Sequence, residues 1–290
     1  MQIQKTLHFT LALSLAALTA GALTAAPIPE SARTSGFAIG AQAYTFNRYS
    51  AVEAVERAAH AGAKVIEFYP GQRFSPTDRK SWGHGASDEQ IETMKALLKK
   101  HGIRAVNYGV VGIPKNEAGA RKIFEFAKKM ELYAITTESV DAIDTIEKLV
   151  KEYDIRVGYH NHPRQPRNPN YKVWDAKFIR DLVKDRDPRV GAAADIGHWA
   201  TDGFNAVENL KILEGRLVSI HAKDRPVLGR PSHNLALGAG AVGVGAVLDE
   251  LKRQNFQGNI SIEHEDNWAN NVPEVAAGIG FVRGYGEAKK

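Results

Sequence analysis

From Phe37 onward, one texture repeats eight times. A short apolar run rich in β-branched residues is followed by a longer stretch with apolar residues at helical spacing. The runs begin at Phe37 (FAIGAQAY), Val65 (VIEFY), Ala105 (AVNYG), Ala134 (AITTES), Arg156 (RVGYHNH), Val190 (VGAAADIGH), Leu217 (LVSIHAKD) and Asn259 (NISIEHED). Between them the periodicity predicts helices over residues 51–61, 88–101, 117–130, 140–153, 173–184, 204–213 and 242–254. A last helix is expected from Pro273, a residue suited to the first helical position. Ser87 with Gln90 forms a capping box, and Gly62 and Gly102 stand where C-terminal caps belong. The runs are apolar on both faces, as strands of a parallel sheet covered by helices must be. Eight such units in about 260 residues, with no linker between them, argue for a (β/α)₈ barrel as a single domain over residues 27–290. An open doubly wound sheet is the competing arrangement. It would place a Gly-rich phosphate turn after the first strand, and none follows Tyr44, so no dinucleotide site is expected.

Residues 1–26 differ from the rest. Lys5 is their one charge, the stretch from Leu7 to Ala26 is apolar, and small residues close it before Pro27. That pattern predicts a cleaved secretory signal peptide and a periplasmic or secreted protein; a retained membrane anchor is the alternative. The chain has no Cys, which excludes disulfides, thiolate metal sites, a cysteine nucleophile and acylation as a lipoprotein. Its charges alternate in sign along the helices, and no basic block with interleaved aromatics points to nucleic acid.

Barrel strands present their C-terminal ends to the active site, so polar residues there are the candidates. Glu138 ends the fourth run, His160-Asn161-His162 the fifth, and Asp195 and His198 the sixth. His221, Lys223 and Asp224 end the seventh, and Glu263, His264 and Glu265 the eighth. The first three end in Tyr44, in Glu67 with Tyr69, and in Tyr108. Crowded carboxylates repel one another and are costly to bury, and a divalent cation relieves both penalties. Glu138, Asp195, His221 and Glu263 supply three carboxylates and one imidazole, acceptable to Mg²⁺, Mn²⁺, Zn²⁺ or Co²⁺, one ion per chain. His160 alone reads as a satisfied core histidine, Lys223 and Asp224 as a pair with each other, and His264 and Glu265 as loop residues.

The motifs YHNH (159–162), DIGH (195–198), HAKD (221–224) and IEHE (262–265), in this order and spacing, resemble the sugar phosphate isomerase/epimerase family with its xylose isomerase-like TIM barrel. The resemblance implies one divalent metal on Glu138, Asp195, His221 and Glu263. It also implies that Glu138 and Glu263 act as the acid/base pair, exchanging protons with a metal-bound enediolate of the sugar. His198 would bind a substrate hydroxyl, with His162 and Lys223 in similar roles, and Tyr44 and Tyr108 complete the substrate-binding set. A trinuclear zinc endonuclease of the same superfamily needs histidines where this chain has Tyr69 and Tyr108, so that branch is excluded. The turn Leu237-Gly238-Ala239-Gly240 also departs from the Leu-Gly-Glu-Gly often found there. The expected substrate is a small, unphosphorylated keto-sugar, isomerised or epimerised by proton abstraction next to its carbonyl. The alternatives are an exported lyase that cleaves a 3-keto-glycoside by β-elimination, a metal-dependent hydrolase and a non-catalytic sugar-binding protein. Residues 71–85 and 225–238 are long enough to act as lids, and Trp82, Trp199 and Trp268 are candidates to stack on sugar rings or to pack in the core. Dimers and tetramers are common in the family, so a homo-oligomer is expected.

Overall fold

Every apolar run becomes a strand, and each strand hydrogen-bonds in parallel to its sequence neighbours until the eighth meets the first. The computed structural model describes residues 27–289; the signal peptide expected over 1–26 lies outside them. The strands are β1 (Ala38–Gln42), β2 (Val65–Phe68), β3 (Arg104–Tyr108), β4 (Ala134–Thr137), β5 (Arg156–His160), β6 (Val190–Asp195), β7 (Leu217–Ala222) and β8 (Asn259–Ile262). The helices are α1 (Ala51–His60), α2 (Asp88–His101), α3 (Glu117–Lys129), α4 (Ile143–Tyr153), α5 (Ala176–Val183), α6 (Ile196–Thr201), α7 (Ala206–Ile212), α8 (Val244–Arg253) and α9 (Val272–Ala288). The result is the (β/α)₈ barrel that the alternation predicts. No helix among the described residues is long and apolar enough to cross a membrane.

Local chemistry fixes the helix ends. Ser50 and Glu53 form a reciprocal capping box at α1, and Ser87 and Gln90 do so at α2. Gly102 closes α2 at φ 65°, a left-handed conformation that glycine adopts without steric cost. Four helices start later than periodicity predicts, and at α5 and α7 a better cap lies inside the expected span. Asp175 accepts the N–H of Lys177 at the start of α5, and Asn205 accepts those of Val207 and Glu208 at α7. One element was not expected: β6 stops at Asp195, and the rest of the DIGH motif winds into α6.

Helices bury their apolar stripes against the sheet in one continuous core. A second cluster of Ile28, Ala32, Ala38, Val65, Val106, Tyr133, Ala134 and Val218 gathers where several strands begin. Residues 28–33 close that end: buried Arg33 reaches the carbonyls of Ile28 and Gln257, and Lys64 Nζ donates to the Arg33 carbonyl. The opposite, C-terminal end of the sheet stays open for chemistry.

Candidate active site

Strand register brings the acidic and imidazole groups together. Asp195 lies directly opposite His221 across the β6–β7 pair. His221 lies opposite Ser261 in β8, so Glu263, two residues on, projects from the same face of that strand. His160, the last residue of β5, completes a buried quartet. One ligand atom each from His160, Asp195, His221 and Glu263 lies within 4.8 Å of every other. Asp195 Oδ2 is 3.6 Å from His160 Nε2 and 4.0 Å from His221 Nδ1, and His221 Nδ1 is 3.1 Å from Glu263 Oε2.

Glu138, a member of the expected ligand set, lies outside this quartet. It follows the end of β4 and turns to a second group with His160 and His162. It bonds to His162 Nδ1, sits 3.4 Å from His160 Nδ1 and accepts the Tyr171 hydroxyl at 3.2 Å. His160 is therefore the hinge between the two groups, with one ring nitrogen turned to each.

The charges explain the cohesion. Burial opposes ionisation of Asp195 and Glu263, yet the cations beside them, Lys223 foremost for Glu263, hold both carboxyls well below the usual range. Lys223 Nζ, fully buried, donates to Asp195 Oδ2 at 2.7 Å and to Glu263 Oε2, and pairs with Glu265 Oε1 at 2.9 Å. The partners that sequence suggested for it and for Asp224, each other, are not the ones they take. Asp224 instead accepts the N–H groups of Gly238 and Gly240 at 2.9 Å each and pins that turn. Burial also resists charge on Glu138, but hydrogen bonds from His160 and His162 bring its pKa down to about 2. His162 moves up in response to Glu138, against the effect of its own burial. His198 moves the other way: burial drives its pKa well down, reinforced by Lys223 and opposed by Asp195, so the ring is neutral.

A cavity of about 280 Å³ opens beside the quartet, walled by Gln42, Tyr44, Tyr69, His162, His198, Glu263 and Glu265. Among the described residues, none that lines it is Lys or Arg. The donor chemistry fits a divalent ion. His160 Nε2 is buried without a hydrogen-bond partner, and two imidazoles with two carboxylates suit Mn²⁺, Co²⁺ or Zn²⁺ better than Mg²⁺, which prefers oxygen.

Residues 55–285 match the family model for the xylose isomerase-like TIM barrel. The chain belongs to that family. Among curated proteins it matches the uncharacterised protein MJ1311 of Methanocaldococcus jannaschii at 28% identity over 138 residues, 46% of this chain and 44% of that protein. The match thus spans less than half of that relative. Among solved structures, an uncharacterised protein from Parabacteroides distasonis is 28% identical, with TM-score 0.69, covering 86% of this chain and 99% of that one. A D-tagatose 3-epimerase-like protein superposes with TM-score 0.67 at 18% identity, over 86% of this chain and 97% of its own. The D-allulose 3-epimerase of Methylomonas sp. gives 0.64 at 16%, over 85% and 97%.

Within this xylose isomerase-like barrel, several expected contacts fall elsewhere. Tyr44, His162 and His198 line the cavity. Lys223 is not among its lining residues and serves as counter-ion to the carboxylates. Tyr108 is fully buried, bonds to His84, and lines a separate cavity of about 600 Å³. Trp82 and Trp199 are core residues: Trp82 packs among Phe68, Phe74 and Phe126, and the Trp199 indole donates to the Trp174 carbonyl. Trp268 sits at the rim, edge-on to Tyr44, which in turn meets Tyr69. Sequence reasoning gave His160 only a core role, gave none to Glu67 or Tyr171, and sent Glu265 to a loop. Glu67 did carry a signal: a lone carboxylate inside the apolar strand β2 must find a partner.

Proposed function

We propose that this protein is a divalent-metal-dependent sugar isomerase or epimerase that removes the proton next to the carbonyl of an unphosphorylated keto-sugar. The observation that carries the reading is the position of Glu263, which belongs to the buried quartet and also lines the cavity. His160, Asp195, His221 and Glu263 would hold the ion, which supplies polarisation of a bound carbonyl and so acidifies the adjacent C–H.

This chain's own residues do the rest. Glu263, held ionised beside Lys223 and His221, is the group placed to accept the substrate proton. His162 lines the same cavity, and its Nδ1 bonds to Glu138, which shifts its pKa upward against burial; it is the group placed to return a proton. Glu138 thus acts through His162 and does not touch substrate itself. Neutral His198 and the Tyr44 hydroxyl offer hydrogen bonds to sugar hydroxyls. Absence of Lys and Arg from the lining favours a neutral sugar, because a phosphate dianion calls for charge-assisted donors. The cavity is close to the lower end of ligand sites, which run from roughly 300 Å³ upward. The expected export signal favours an unphosphorylated substrate as well.

A second reading, β-elimination from a 3-keto-glycoside, is favoured by the larger cavity next door, which shares Pro70 with the first. The test is incubation of the metal-loaded protein with D-tagatose, D-allulose and 3-keto-glycosides in D₂O. Deuterium at the carbon next to the carbonyl, with a new epimer or isomer and no exchange by Glu263→Gln, supports the first reading. Release of the aglycone replaces it with the second, and cleavage without exchange replaces both with a hydrolase.

A further inference from the structure

We infer that Glu67 is a positioning residue that fixes the ring of His221 so that its Nδ1 is presented to the metal, an inference that rests on the metal reading above. Glu67 is the third residue of β2, between Ile66 and Phe68, and is 0% exposed. Its two oxygens have separate partners. Oε1 lies 3.0 Å from His221 Nε2. Oε2 accepts the Ser261 hydroxyl at 2.7 Å and the Asn259 amide at 3.3 Å, and that amide also bonds Ser261 Oγ at 2.7 Å. The carboxylate is therefore braced by β8 while it reaches His221 on β7.

A neutral imidazole carries one N–H and one lone pair. With Nε2–H directed at Glu67, the lone pair sits on Nδ1, the nitrogen facing Glu263 Oε2 at 3.1 Å and Asp195 Oδ2 at 4.0 Å. A ring turned over about its own axis would break the Glu67 contact. Barrel packing alone gives no reason for a carboxylate here, since an apolar side chain of similar volume would fill the space without burying a charge. Outer carboxylates that orient a ligating histidine in this way are worth about 10–100-fold in metal affinity.

The experiment uses the full chain, stripped with chelator, as wild type, Glu67→Gln and Glu67→Ala. Co²⁺ and Mn²⁺ are titrated by calorimetry, the Co²⁺ absorption spectrum is recorded, and circular dichroism checks the fold. Glu67→Ala should bind Co²⁺ about 10–100-fold more weakly and with an altered spectrum, while Glu67→Gln, whose carbonyl can still accept from Nε2–H, should recover much of the loss. Binding within about two-fold of wild type with an unchanged spectrum would overturn the inference and leave the metal site standing. If Glu67→Ala does not fold, Asn259→Ala/Ser261→Ala, which removes both donors to Glu67 Oε2, is read the same way: weaker Co²⁺ binding supports the inference and unchanged binding overturns it. Wild-type protein that takes up neither ion removes the metal reading and the inference with it.

Discussion

Asp195 uses its two carboxylate oxygens differently: Oδ1 accepts the backbone N–H of His198 at 2.8 Å and caps α6, while Oδ2 faces His160, His221 and Lys223. One side chain thus ends a strand, starts a helix, aims His198 at the cavity and contributes to the quartet. These tasks can be separated. Asparagine is as good a cap as aspartate but carries no charge. Asp195→Asn should keep α6 and lose metal, whereas Asp195→Ala should lose metal and be a further ~1 kcal/mol less stable, the ordinary loss on removing a cap. Paired thermal melts and metal analysis check this, and equal stability of the two variants would contradict the capping role.

The quartet predicts which substitutions strip the metal. His160→Ala and His221→Ala should each yield protein with little bound ion after purification. Glu138→Ala should retain close to one ion per chain while losing turnover, because Glu138 meets the site through His162 and His160. Elemental analysis of the three variants decides the point. Metal lost from Glu138→Ala but kept by His160→Ala would restore the ligand set that sequence suggests.

The contrast between Glu138 and His160 shows what was legible. Local rules sufficed for α2, whose cap box and terminal glycine give its limits as 88–101, and for the eight-fold alternation that implies the barrel. Three of four quartet residues, Asp195, His221 and Glu263, follow from polar groups at strand ends. Choosing the fourth required knowing where each strand stops. β4 ends one residue before Glu138, whereas His160 is still within β5, in register with Ala193 of β6. The DIGH segment misled for a related reason, since Asp195 ends a strand and caps a helix, and Ile196 reads as more strand. Trp82 and Trp199 fit ring stacking and core packing equally well in sequence, and only the folded chain shows both to be buried.

The turn after β7 supplies a packing prediction. A Cβ added to Gly240 would come within 2.3 Å of Asp224 Oδ1 and 2.5 Å of the Arg225 carbonyl. The Asp224 carboxylate is fully buried and already holds the N–H groups of Gly238 and Gly240, so it has little room to yield. Gly240→Ala should therefore destabilise by about 1–3 kcal/mol, the usual range for overpacking, and lower the Tm by several degrees. Ala239 has no such contact to lose through its backbone, and Ala239→Ser should melt like wild type. Equal Tm values for the Gly240 and Ala239 variants would show that the turn is not clamped as described.

In the metal-free protein, His221 should make stability depend on alkaline pH. Burial alone would lower its pKa, but the carboxylates of Glu67 and Glu263 raise it from the usual 6.5 to about 10. The folded state thus holds a proton that the unfolded chain releases near pH 6.5. The stabilisation is complete below pH 6.5 and fades as pH rises toward about 10. Lys223 does not confuse this window, because despite burial its carboxylate partners shift its pKa upward. A metal ion on Nδ1 must displace the same proton, so Co²⁺ uptake should tighten with rising pH across this interval and release protons into the buffer. Melts of chelator-treated wild type and His221→Asn between pH 6 and pH 10, with calorimetry in two buffers of different ionisation heat, test both statements. Parallel melting profiles for the two proteins, together with no proton release on binding, would place the charge of His221 elsewhere than between Glu67 and Glu263.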